Sequence, residues 1–239
     1  MHDFVQFLTK NECLIIDHGE ETTGESKVLV DKVRHLTLRD VPEGFHFSSH
    51  LTIAKISACS HLLIQTTIDS NLILQLKCLR TLKLSGNSIK ELPEEIGELI
   101  HLRHIDLSYS RILETLPDTI CGLYNLSTLR FVKCSELKKL PENMGNLINL
   151  KHLYVESYNN LKSLPKGIGR LTSLQTLDVC RCGGDNDEAF QIGDLRKLNL
   201  EGSLEIQLMG DKIDKSEVEK AQLWDKKLFH FAIYLGVAF

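Results

Sequence analysis

A chain of 239 residues with 42% hydrophobic and 25% charged residues has an ordinary globular composition, neither disordered nor fibrous, with room for one or two domains. Its formal charge of −4 lays down no basic footprint and so argues against a nucleic-acid partner. No stretch approaches the roughly 18 apolar residues of a membrane span, residues 1–10 lack the basic and then apolar build of a signal peptide, and the seven cysteines form no paired framework, which together place the chain in the cytoplasm.

Residues 1–16 read as a short helix, with Phe4, Val5, Phe7 and Leu8 at helical spacing, leading into the extended triplet Leu14-Ile15-Ile16. A helix this short needs a partner surface, either a domain outside this chain or the first repeat. Residues 17–32 open on Asp17-His18-Gly19-Glu20-Glu21-Thr22-Thr23-Gly24 and read as a polar linker. From Val33 a new cadence begins with Leu36 and Leu38, then blurs through 33–75, where Leu51, Ile53, Ile56 and Leu62-Leu63-Ile64 supply strand material without a regular sequel. This region is expected to hold degenerate leading repeats.

Residues 76–182 are organised by one pattern. Leu79, Leu82 and Leu84 precede Ile89, Leu92-Pro93, Ile96 and Leu99, and the same order returns from Leu102, Leu126 and Leu150 and opens again at Leu174. The prolines at 93, 117, 141 and 165 set a period of 24 residues. Within each copy, Leu-x-x-Leu-x-Leu carries the alternation of a short half-buried strand. Asn87, Cys134 or Cys182 then stands where the chain turns away, the Leu-Pro pair stops the strand, and Ile-Gly-x-Leu supplies a 3₁₀ or short helical segment that points back at it. One copy cannot bury its apolar face alone, whereas stacked copies can. The pattern is that of a leucine-rich repeat, and it predicts an α/β solenoid with a curved parallel sheet on the concave side and short helical segments on the convex side.

Residues 183–239 are expected to be irregular repeats. The loop around Asp185-Asn186-Asp187-Glu188 interrupts the period, Leu195, Leu198 and Leu200 resume it, and Leu204-Glu205-Ile206 reads as a strand. Asp214 and Glu217 resemble a capping box opening a helix that continues through Val218, Ala221 and Leu223 toward Lys226. The last segment, from Leu228 to Phe239, reads as an apolar strand with nothing to cover it, so the natural chain is expected to continue or to be a truncated product.

No arrangement asks to be a catalytic site: there is no His-Glu-x-x-His and no Gly-x-Ser-x-Gly. Cys180-Arg181-Cys182 is the nearest approach to a metal pair, but structural zinc calls for two wider pairs, and alternation puts Cys180 on the exposed strand face and Cys182 at the inward turn. Cys78, Cys121, Cys134 and Cys182 read as buried thiols, and the acidic loop at 185–188 as a solvated one. The chain is therefore read as a binding protein, not an enzyme, without metal. Alternation sets Lys83, Asp106, Arg130, Tyr154 and Asp178 in one outward ladder across the strands, with Ser85, Ser108, Val132, Glu156 and Cys180 beside it. With Tyr109 at its rim, this mixed charged and aromatic face suits protein recognition.

The run Met1-His2-Asp3-Phe4-Val5-Gln6-Phe7-Leu8, the block Val33-Arg34-His35-Leu36-Thr37-Leu38, the Leu-Pro-x-x-Ile-Gly-x-Leu copies and Leu200-Glu201-Gly202-Ser203-Leu204-Glu205-Ile206 together resemble plant intracellular nucleotide-binding leucine-rich-repeat receptors of the coiled-coil type, the disease resistance proteins. The resemblance runs over almost the whole chain. It implies a defence role in which the repeats bind a pathogen effector, a host protein or the receptor's own nucleotide-binding domain. It also implies that 1–16 is the remnant of the winged-helix part of the nucleotide-binding module, with nucleotide-sensor roles for His2 and Asp3, either as the family's Met-His-Asp motif or as a second His-Asp pair just downstream of it. The phosphate-binding glycine loop that family uses is not in these 239 residues, so ADP or ATP is expected only with an upstream nucleotide-binding domain. A standalone intracellular scaffold of the Ras-group type is the alternative the repeat period allows.

Overall fold

A computed structural model describes residues 13–17, 33–39, 68, 70–86, 89–156, 160–183, 188–209 and 215–236. Among the described residues, ten strands fall in two parallel sheets. The first, in sequence order, contains β1 (Cys13–Asp17), β2 (His35–Arg39), β3 (Thr81–Lys83), β4 (His104–Asp106), β5 (Thr128–Arg130), β6 (His152–Tyr154) and β7 (Thr176–Leu177). The second contains β8 (Val179–Gly183), β9 (Glu201–Met209) and β10 (Lys227–Gly236). Leu14-Ile15-Ile16, read as extended from its sequence, lies in β1 and pairs in parallel with β2. Expectations for His2, Asp3, the helix at 4–8, the strand material at 51–64, and Asn87, Asp185 and Asp214 fall outside the described residues.

Each repeat turns its leucines into one continuous core. Leu82, Ile105, Leu129, Leu153 and Leu177 stand in register at the strand centres and are buried. The Leu-Pro pair does not stop the strand as its sequence suggests: β3, β4 and β5 close at Lys83, Asp106 and Arg130, well before the prolines. The pair instead opens the next 3₁₀ segment, with Pro93, Pro117 and Pro165 extended near φ −68° as its N-caps. These segments are Glu94–Glu98, Asp118–Gly122, Glu142–Asn146 and Lys166–Arg170, and Ile96, Ile120, Met144 and Ile168 from them are buried against the sheet. Stacking them requires glycine at three points, and a Cβ on Gly97 would stand 2.9 Å from the carbonyl oxygen of Thr119. A Cβ on Gly145 would stand 2.5 Å from the carbonyl oxygen of Gly167, and one on Gly167 would stand 2.7 Å from that of Glu142.

Helix α1 (Ser70–Gln75) takes the place of a 3₁₀ segment in the degenerate leading region. The amide of Leu76 donates to the Ile73 carbonyl and that of Leu79 to the Leu76 carbonyl, as Leu99 does to Ile96 and Leu102 to Leu99 one repeat later. At the other end, the helix expected to run toward Lys226 is shorter. Helix α2 covers Lys215–Lys220, Gln222 adopts a left-handed conformation (φ 48°), and a separate 3₁₀ turn, Leu223–Asp225, follows. The two sheets meet at Asp178, where the Glu201 amide donates to the Gln175 carbonyl and the Glu205 amide to the Asp178 carbonyl.

Candidate functional site: the exposed face of the first sheet

Parallel register brings four of the five proposed ladder residues side by side. Lys83 pairs with Asp106, Asp106 with Arg130, and Arg130 with Tyr154. Each flanks a buried leucine or isoleucine on the face away from the 3₁₀ segments, as the alternation of β-strands requires. Arg130 sits at the centre. Its Nε lies 3.9 Å from Asp106 Oδ2, an ion-pair contact too long for a hydrogen bond, and its guanidinium lies 4.5 Å from the centroid of the Tyr154 ring. Stacking on Tyr154 holds the guanidinium plane, while Nε is buried without a hydrogen-bond partner among the described residues. The His152 ring stacks on Tyr154 at 6.5 Å between centroids, which extends the aromatic stretch along β6.

In front of these strands lies a groove of about 330 Å³ lined by Thr81, Lys83, His104, Ile105, Asp106, Thr128 and Arg130. Burial first, then the positive charges of Arg103, His152, His35 and Lys83, lower the pKa of His104. The groove offers a hydroxyl pair, an imidazole and two cations, a set suited to polar recognition of a polypeptide.

The carboxylates of this face are largely taken up by the backbone. Asp106 Oδ1 accepts the Ser108 amide at 3.0 Å. Glu156 accepts the Lys133 amide. Asp178 accepts the amides of Val155 at 2.7 Å, Val179 at 2.9 Å and Glu156 at 3.4 Å. Paired register on β7 stops at Leu177, so Asp178 lies just past the ladder and ties β6 to the start of β8. Burial pushes its pKa up, against the lowering effect of those amides and of Arg130. Tyr109 is exposed at the rim in a left-handed conformation (φ 65°), with Lys133 Nζ 5.1 Å from its ring centroid.

Three sequence expectations are corrected. Cys180 is fully buried, because β8 pairs with β9 in the second sheet and sets Cys180 opposite the buried Ile206. Ser108 is buried rather than part of the outward face. Cys78, expected among the buried thiols, is exposed, whereas Cys121, Cys134, Cys180 and Cys182 are buried. Burial pushes the Cys121 thiol up to about 11 and the Cys134 thiol up to about 12, so both stay protonated and poorly nucleophilic at neutral pH. Among the described residues no group of three or more His, Cys, Asp or Glu side chains could hold a metal ion.

Two rows escaped the sequence reading. His35, Thr81, His104, Thr128, His152 and Thr176 form a second register row two residues before the ladder, with His152 Nδ1 3.1 Å from Thr176 Oγ1. One residue further back stand the exposed Arg80, Arg103 and Lys151. The signal was in the text as Arg80-Thr81, Arg103-His104 and Lys151-His152, a basic residue ahead of β3, β4 and β6, with Ser127 ahead of β5 and Gln175 ahead of β7.

A stack of strand, turn and 3₁₀ segment with one open, polar sheet face defines a leucine-rich-repeat solenoid, a protein-interaction module. The family model for the leucine-rich repeat region matches residues 45–153 and 94–224, and the chain belongs to this family. A stretch of 59 residues is 44% identical to a candidate disease resistance protein of Arabidopsis thaliana, covering 25% of this chain and 4% of that protein. Two solved structures share the fold. A leucine-rich-repeat protein of Leptospira interrogans superposes with a TM-score of 0.60 at 20% identity, over 88% of this chain and 57% of the other. The plant peptide hormone receptor RGFR1, in complex with RGF2, superposes with a TM-score of 0.56 at 21% identity, over 86% of this chain and 33% of the other. The chain thus spans only part of each of these proteins. No helix among its described residues is long and apolar enough to cross a membrane.

Proposed function

We propose that this chain is the protein-binding repeat region of a plant disease resistance protein, acting in the cytoplasm in defence. Its sheet face recognises a pathogen effector or a host protein and contacts the receptor's own nucleotide-binding domain, holding that switch off. The binding half of this reading rests on one observation, the register-locked row Lys83, Asp106, Arg130 and Tyr154 on the open face, with Arg130 stacked on Tyr154. Aromatic and arginine anchors are the residue types that dominate protein-binding energy. The resistance half is supported by the 44% identical stretch and by the resemblance of the flanking segments. ADP or ATP enters only through an upstream nucleotide-binding domain.

Sequencing the transcript through both sides of the reading frame tests the resistance half. A frame that continues upstream into a phosphate-loop domain is the expected result. A frame that closes at Met1 and after Phe239 would instead favour a standalone scaffold.

A further inference from the structure

Resting on the reading of this sheet face as a protein-binding surface, we infer that the row Arg80, Arg103 and Lys151 forms a cationic lip that seats an acidic extended segment of the partner protein. The row is rigid, since each residue's backbone is fixed to its neighbour's. The Arg103 amide donates to the Arg80 carbonyl at 2.8 Å, Ser127 to Arg103 at 2.8 Å, Lys151 to Ser127 at 2.9 Å and Gln175 to Lys151 at 2.8 Å. The three cations are exposed, and among the described residues none of them is in a salt bridge. Lys83 and Arg130 stand behind them in the ladder, across the His and Thr row.

The acids that could neutralise this strip are otherwise engaged. Asp106, Glu156 and Asp178 accept backbone amides, and Glu201, the next residue of the lip, pairs with Lys227 at 3.3 Å. Other carboxylates, Glu94, Glu95, Glu98, Asp118 and Glu142, are carried by the 3₁₀ segments on the opposite side of the core. The net charge of −4 therefore conceals a local positive strip, and it is the local field that steers a ligand at contact.

Geometry sets the length. Strands lie about 4.8 Å apart, so Arg80 to Lys151 spans three spacings, about 14 Å, which an extended chain rising about 3.3 Å per residue crosses in four or five residues. A segment of six to eight residues with acidic side chains at alternate positions meets all three cations. The lip then runs through Gln175 to Glu201, so the segment's acidic part is oriented toward β3–β6. Nucleic acid is the poorer fit, because single strands call for aromatic stacking platforms and Tyr154, the ring of this ladder, is already covered by Arg130.

The test uses the whole chain and a fluorescein-labelled peptide of alternating Glu and Ser, with the Gln-Ser peptide and an oligouridylate of equal length as comparisons, read by anisotropy. The expected result is preferential binding of the Glu peptide. That binding should be lost near 1 M salt, where screening acts within about 3 Å, and weakened at least about tenfold by Arg80→Glu/Arg103→Glu/Lys151→Glu. An unchanged melting temperature shows that this exposed triple variant remains folded. Equal binding of the Glu and Gln peptides, unchanged binding by the triple variant, or tighter binding of the oligouridylate would each overturn the inference. The ladder variant Lys83→Glu/Asp106→Lys/Arg130→Glu separates the two claims. If it releases a protein partner that the lip variant still holds, the lip inference falls and the sheet-face reading stands; if neither releases it, the sheet-face reading itself falls.

Discussion

Tyr109 shows how a single residue separates binding from stability. It occupies the turn position held by Gly86 in the preceding repeat, and both are left-handed, at φ 65° and 85°. A bulky side chain there costs about 1–2 kcal/mol, which its contact with Lys133 offsets by about 0.5–1 kcal/mol. Tyr109→Gly is therefore expected to leave the melting temperature equal or higher while weakening partner binding; a lowered melting temperature would show that Tyr109 serves the fold instead. Asp178 makes the opposite case. Burial raises its folded pKa above the ordinary 3.8, so its contribution to stability is fully present below that value and is lost as pH rises through the raised folded value. Denaturation midpoints measured across this window should fall with rising pH, and Asp178→Asn should flatten that component; an unaltered profile would contradict the assignment. Alternation set Asp178 as a rung of the ladder, but paired register stops one residue before it at Leu177, and its engagement with three amides depends on where β7 stops.

Among elements, the 3₁₀ segments differ in tolerance although their sequences look alike. Gly122 has nothing within 4 Å of an added Cβ, whereas Gly145 would place one 2.5 Å from the Gly167 carbonyl. Gly122→Ala should be neutral or stabilising by up to about 1 kcal/mol, and Gly145→Ala destabilising by about 1–3 kcal/mol, as read by urea midpoints. Equal effects at the two sites would refute the stacking account. Leu153, fully buried at the centre of β6, should cost about 2–5 kcal/mol on change to Ala in the same assay. The strands and the 3₁₀ segments could be read from period and spacing, but not that the Leu-Pro pair caps the 3₁₀ segment rather than stopping the strand. The side-chain bonds between repeats could not, since Asn125 donating to the Ile100 carbonyl at 2.8 Å and Asn149 to that of Tyr124 at 2.7 Å depend on how successive turns stack.

At the scale of the molecule, the core column runs through β9: Phe231, Ile233 and Leu235 of β10 lie opposite the buried Leu204, Ile206 and Leu208 of β9 but are themselves exposed. The change of sheet at Asp178 was not legible, because Val179-Cys180-Arg181-Cys182 reads as one more alternating strand until β9 pairs with it. Nor were the lip cations, since the residues before a strand lie outside the alternation that located the ladder. The central claim is that the open sheet face binds protein through the row of Lys83, Asp106 and Arg130. Its most direct test is the association of this chain with the nucleotide-binding module proposed to precede it in the same reading frame, expressed as a separate polypeptide. Lys83→Glu/Asp106→Lys/Arg130→Glu, shown to remain folded by a cooperative melting transition, should weaken the association at least about tenfold. Unchanged association by a folded triple variant would contradict the account.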